Sequence, residues 1–150
     1  MKKALIITLF LLFCNNTSYG QFLPMPDCSK VIFGEDNITV GSCKLNVYKA
    51  ETYEQKVCGM LNFTDETFLK DGMIFVGDNS RVKSHNFHTE GMKMTIRIIG
   101  IVLQNNSNYK VYNNDAKYSP PGLPSVVIYG NSVFETSEEK FKKLNKCMFN

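Results

Sequence analysis

The run from Met94 through Thr95-Ile96-Arg97-Ile98-Ile99-Gly100-Ile101-Val102 to Leu103 constrains this chain more than any other stretch. It is rich in β-branched residues and too short for a membrane span, so it reads as a core strand. Met94, Ile96 and Ile98 share one face of such a strand. Thr95 and Arg97 share the other, until Ile99, Ile101 and Leu103 make that face apolar as well. Burial on both faces, or a bulge at Gly100, would account for the change.

Shorter strand signals surround it. Lys30 to Phe33 and Ile38 to Val40 flank the turn-like Gly34-Glu35-Asp36-Asn37, which suggests a first hairpin. Lys44 to Tyr48, Met73 to Val76, Tyr109 to Tyr112 and Ser125 to Tyr129 read as further strands. Asn105-Asn106-Ser107-Asn108 reads as a hairpin loop. Thr52 with Gln55 has capping-box form, and Gly59 supplies a stop, so a helix of about two turns lies between them. Thr64-Asp65-Glu66 is expected to start a turn that carries Phe68 and Leu69 inward. Thr136 with Glu139 has capping-box form too, ahead of Phe141, Leu144 and Met148 at helical spacing. The expected fold is α+β, mainly antiparallel β, as a compact barrel or a two-layer sheet with two short helices.

Lys2 and Lys3, the apolar stretch Ala4 to Phe13, and Ser18-Tyr19-Gly20 make a secretory signal peptide with its cut after Gly20. Residues 21–150 then form one domain. Losing Lys2 and Lys3 takes the formal charge from +3 to +1, which gives no reason to expect a nucleic-acid partner. No membrane span remains after the cut.

Cys28, Cys43, Cys58 and Cys147 survive it, and an even number in an exported chain implies two disulfides. Three pairings are possible. If Glu35-Asp36 form the centre of the first turn, Cys28 faces Cys43 across the hairpin. That leaves Cys58 to pair with Cys147.

Four segments stand in a telling order: Glu54-Gln55 followed by Cys58-Gly59-Met60-Leu61; Asp71 to Val76; Phe87 to Ile99; and Val126 to Gly130. In this order the chain resembles the small bacterial and archaeal proteins called domain of unknown function 192, over residues 44–135. That family ends on a Val-Leu-Glu…Gly segment, which the resemblance sets at Val126 to Gly130. It implies a compact β-rich fold, frequent export and no assigned activity. Two positions depart from the family pattern. Its usual aromatic place holds His88, and its usual acidic place holds Arg97.

Both histidines of the chain fall just before the core strand. His85, His88 and Met92 form a soft donor set suited to Cu(I) in an exported protein. Met94 shares the Ile96 and Ile98 face and reads as packing. Residues three apart on a strand point to opposite faces, so His85 and His88 converge only across a turn or bulge. No phosphate loop, metalloprotease helix or nucleophile elbow is present, so no catalytic residue and no cofactor is expected. Ser84, His88 and Glu90 are neighbours in sequence without triad context.

The expected function is a small exported, non-catalytic binding or accessory module. It would work as a monomer in the periplasm or outside the cell, with an envelope or extracellular protein or ligand as partner. An inhibitor-like or exclusion-like factor fits this description. The expected binding residues are His85, His88, Glu90, Lys93 and Arg97, with Lys93 and Arg97 as a basic stripe. The alternatives are a periplasmic copper-binding protein and a hydrolase of an envelope polymer.

Overall fold

Alternating apolar residues draw six strands into a closed barrel. The computed structural model describes residues 24–77, 81–123 and 125–150; the signal peptide lies outside them. The barrel strands are β1 (Gly34–Val40), β2 (Cys43–Ala50), β3 (Gly72–Phe75), β5 (Ile96–Asn105), β6 (Asn108–Ser119) and β8 (Ser132–Ser137). Their order around the barrel is β1-β2-β3-β8-β5-β6. Parallel pairing of β1 with β6 closes the ring, β2 and β3 are also parallel, and the other barrel pairs are antiparallel. β4 (Lys83–Phe87) and β7 (Val126–Gly130) form a separate antiparallel ribbon. The helices are α1 (Tyr53–Cys58) and α2 (Glu138–Met148). The fold is thus α+β and mostly β, as expected. Among the described residues no helix is long and apolar enough to cross a membrane.

Burial on both faces explains the central strand. Ile99 and Ile101 point into the barrel beside Ile38, Val40, Leu45, Val47, Ile74 and Phe134. Ile96 and Ile98 point outward into a second core with Met60, Phe68, Met73, Phe75, Met92, Met94 and Val133. This outer core is covered by the segment that follows α1, by the bend before β5, and by residues of the β4–β7 ribbon. Gly100 itself permits a close approach: a Cβ there would sit 1.8 Å from the Tyr129 carbonyl oxygen of β7. The register shift opposite it is taken up in β6, where Asn113 and Asn114 adopt positive φ.

The first hairpin differs from expectation. Glu35 and Asp36 lie within β1, and the turn is Gly41-Ser42, with Val40 facing Cys43. Gly41 has φ +61°, and a Cβ there would lie 2.5 Å from the Met148 carbonyl oxygen. Glycine therefore allows both the tight turn and the docking of α2 behind it. The stretch expected as a first strand, Lys30 to Phe33, instead begins at the end of a short 3₁₀ turn, Cys28–Lys30, and lies outside the strands.

Two disulfides form, but their pairing follows the real turn and corrects the expected one. Cys28 joins Cys58 (Cα–Cα 5.3 Å), and Cys43 joins Cys147 (Cα–Cα 5.1 Å). The first ties the N-terminal segment to α1. The second ties the hairpin to the end of α2. Two disulfides suit an oxidising, extracytoplasmic environment.

The helix ends are set by local chemistry. Thr52 and Gln55 make the full capping box on α1, as the sequence implied. On α2 the cap is one residue later than expected. Ser137 accepts from the Lys140 backbone N–H, because the Thr136 hydroxyl is committed to the Asp71 carbonyl. Phe68 is buried as expected, whereas Leu69 is 80 % exposed. The Lys140 ammonium explains why Leu69 stays out. It binds the carbonyls of Phe68 and Lys70, which turns the loop between them outward.

Candidate ligand cleft

The outer core is open on one side. A cleft of about 890 Å³ lies between α1, the end of β3, β4 and the bend at 88–92. Apolar side chains line much of it: Met60, Leu61, Phe75, Phe87 and Met92. Such a volume falls within the range of small-ligand sites.

β4 and the bend deliver the histidines. Along β4, His85 and Phe87 are half-buried and their neighbours exposed. Phe87 packs edge-on against Phe75 at 5.4 Å between ring centroids. His85 Nε2 lies 3.0 Å from the Gly130 carbonyl oxygen on β7. A carbonyl only accepts, so Nε2 is the donor, and in the neutral ring that leaves the lone pair on Nδ1. β4 ends at Phe87, so His88 lies beyond the strand and is freed from its alternation. Both histidines therefore reach one cleft, as the sequence required a turn to achieve.

Thr89 holds the bend in place. It is fully buried, and its hydroxyl donates to the Pro120 carbonyl at 2.8 Å while accepting from the Leu123 N–H at 2.9 Å. Its own carbonyl accepts from the N–H groups of Gly122 and Met92. The proline-rich loop is thereby fastened to the segment that carries His88, Glu90 and Met92.

The expected site residues divide. His85, His88, Glu90 and Met92 line the cleft, with Glu90 and His88 exposed at its edge. Lys93 is exposed and outside it. Arg97 belongs to another part of the molecule. It pairs with Thr136 across β5 and β8, so Glu138, two residues on, stands over it. The Arg97 guanidinium binds the Glu138 carboxylate through Nε at 2.5 Å and a second nitrogen at 3.2 Å. It is stacked between the rings of Tyr118 and Phe141 at 4.9 and 4.8 Å. The guanidinium hydrogen bond holds the Glu138 carboxyl below its ordinary range. Arg97 therefore clamps α2 to the barrel, beside a separate hollow of about 470 Å³. Met94 is buried in the outer core, as its parity implied.

Glu135 was not among the expected residues. It sits on β8 between Met73 of β3 and Ile98 of β5, is 3 % exposed, and lines the cleft. Among the described residues nothing hydrogen-bonds to its carboxyl. Burial alone pushes it up to about 8, so it is protonated at neutral pH.

Among the described residues no group of three His, Cys, Asp or Glu side chains could hold a metal ion. The soft donors are differently placed: His85, His88 and Met92 share the cleft with Met60.

The sequence matches no known family profile and no curated protein. Two solved structures share the fold. One, from Sinorhizobium meliloti, is assigned provisionally as a transcription regulator. It has TM-score 0.52 and 12 % identity over 77 % of this chain and 90 % of that one. The other is a protein of unknown function from Novosphingobium aromaticivorans. It has TM-score 0.52 and 16 % identity over 81 % of this chain and 85 % of that one. At such identities the likeness is one of fold alone.

Proposed function

We propose that the protein is a small exported binding module, periplasmic or secreted, whose binding element is the cleft above Glu135. The observation that carries this reading is the buried Glu135 carboxyl, without a hydrogen-bond partner among the described residues, at the base of an apolar cleft. Native proteins pair buried polar groups, and the exceptions concentrate where a ligand completes the pairing. The two disulfides support export, and the order of motifs supports kinship with the domain of unknown function 192 family. The edge of the cleft, with Tyr53, Lys56, His88 and Glu90, offers polar contacts to an envelope component. Catalysis has less support, because among the described residues no second group is held against Glu135 by a hydrogen bond.

The test uses methyl-detected NMR on the disulfide-bonded protein with the small-molecule fraction of an envelope extract. Saturable shifts at Met60 and Met92 are expected, and Asn86→Trp, which adds bulk on the exposed β4 wall of the cleft, should abolish them. Shifts confined to α2 and the far end of the barrel would overturn the reading.

A second reading, Cu(I) binding, is favoured by one observation. The Nε2–H of His85 is committed to a backbone carbonyl, which is how metal-ligating histidines are usually oriented. Cu(I) would then use His85 Nδ1 with His88, Met92 and Met60. Titration of the protein with Cu(I) that gives neither heat nor a thermal shift would end this reading.

A further inference from the structure

The base of the cleft holds an ionisable group that the protein's described atoms leave unpaired. Glu135 is deeply buried, opens into the cleft, and has no hydrogen-bond donor or cation against it among the described residues. The strands on either side present Met73, Phe75 and Ile98, none of which carries charge. The other titratable groups around the cleft are Tyr53 and Lys56 from α1, His85 from β4, and His88 and Glu90 from the bend. Tyr53, Lys56, His88 and Glu90 are exposed, and His85 is tied to Gly130.

Resting on the binding reading above, we infer that the occupant is a small organic cation: a protonated amine on an apolar body, with its ammonium against Glu135. The apolar body would lie among Met60, Phe75, Phe87 and Met92. An anionic ligand would keep the acid protonated and would bring its own charge into the apolar cleft unpaired. A neutral ligand could accept one hydrogen bond from the acid but would not use its capacity to ionise. A cation supplies the counter-charge that lets the acid ionise, because a desolvated carboxylate is tolerable only when paired. Aromatic faces and thioethers are compatible walls for an ammonium group.

The pairing has a proton balance. Burial keeps Glu135 protonated at pH 7. When the ammonium binds, the carboxyl ionises and its proton leaves to the buffer, so the ion pair replaces a neutral acid. Binding of each amine should therefore release close to one proton, about 1 at pH 7.

Isothermal titration at pH 7 in buffers of different ionisation enthalpy tests this on the disulfide-bonded protein. The probes are 2-phenylethylamine, its neutral analogue 2-phenylethanol, and the anion 3-phenylpropanoate. The amine should bind with proton release, and the alcohol roughly tenfold or more weaker without it. The anion should not bind. Glu135→Gln keeps the shape and should remove both the amine preference and the proton release. Equal binding of amine and alcohol with no proton release would overturn the inference, as would tightest binding by the anion. If none of the probes binds while Asn86→Trp still abolishes the extract-induced shifts, the amine is wrong and the binding module stands. If those shifts are absent as well, both readings fail.

Discussion

The barrel interior and the outer core are built from the same strands but finished differently. The interior is aliphatic, with Phe134 at its centre, and α2 closes it with Met148, Leu144 and Phe141. Its end is pinned by Cys43–Cys147 and by the Ser42 N–H donating to the Cys147 carbonyl at 2.8 Å. The outer core is rich in methionine and aromatic rings, carries a buried acid, and gapes into a cleft. One side of β8 thus holds Phe134 in a sealed interior, and the other holds Glu135 beneath an opening. A sealed core stabilises. An open core with an unpaired acid lowers stability and is retained where something binds.

The disulfides sharpen this contrast most. Cys43–Cys147 spans 104 residues and Cys28–Cys58 spans 30. In the chain-entropy picture, replacing the first pair with alanines should cost about 4–5 kcal/mol and the second about 3–4 kcal/mol. Denaturant midpoints of the two double variants measure this. A larger loss from Cys28–Cys58 would mean that the cover over the cleft, and not the barrel closure, dominates stability.

Next in size is the pH dependence that Glu135 imposes. Its carboxyl has an ordinary value of 4.5 and is raised to about 8 in the folded state. The folded protein thus holds a proton that the unfolded chain has lost. Stability from this group is full below about pH 4.5 and falls as pH rises towards 8, by up to ~1.4 kcal/mol per pH unit. Glu135→Gln should flatten that part of the profile and make the protein more stable than wild type at pH 8. Chemical denaturation of both proteins from pH 5 to pH 8 checks it. A difference between them that does not change with pH would show that the acid is not desolvated as the fold implies.

Local chemistry made much of the fold legible in sequence, and long-range chemistry hid the rest. The Thr52–Gln55 box and the two-faced apolar strand act through neighbours a few residues apart, and both formed as read. The polar run Gly34 to Asn37 imitates a turn, yet it pairs with β2 because Gly41-Ser42 makes a tighter one. One misplaced turn was enough to misassign both disulfides. β4 is polar and pairs with the distant β7, so its own composition gave little sign of a strand. Around the cleft, the His85–Met92 stretch was legible because its donors are close in sequence. Glu135 was not, since its environment is assembled from β3, β5 and α1. Arg97 read as a free cation because its partner Glu138 lies 41 residues on.

The clamp on α2 carries the smallest effect and tests the sealed side of the comparison. Arg97 and Glu138 are both largely shielded, each with a side chain 23 % exposed, and they bind through two hydrogen bonds. Arg97→Ala should cost about 1–3 kcal/mol, through the lost charge-assisted bonds and the lost stacking on Tyr118 and Phe141. Arg97→Lys keeps the charge but not the fork or the flat stacking surface, so it should restore only part of the loss. Amide exchange should quicken along α2 in both variants and remain unchanged at His85 and Phe87. Lys93→Ala, at an exposed position, serves as the control and should fall within ~0.5 kcal/mol of wild type. If Arg97→Ala instead left α2 protected and altered ligand-induced shifts at Met60 or Met92, the division between a sealing side and a binding side would fail.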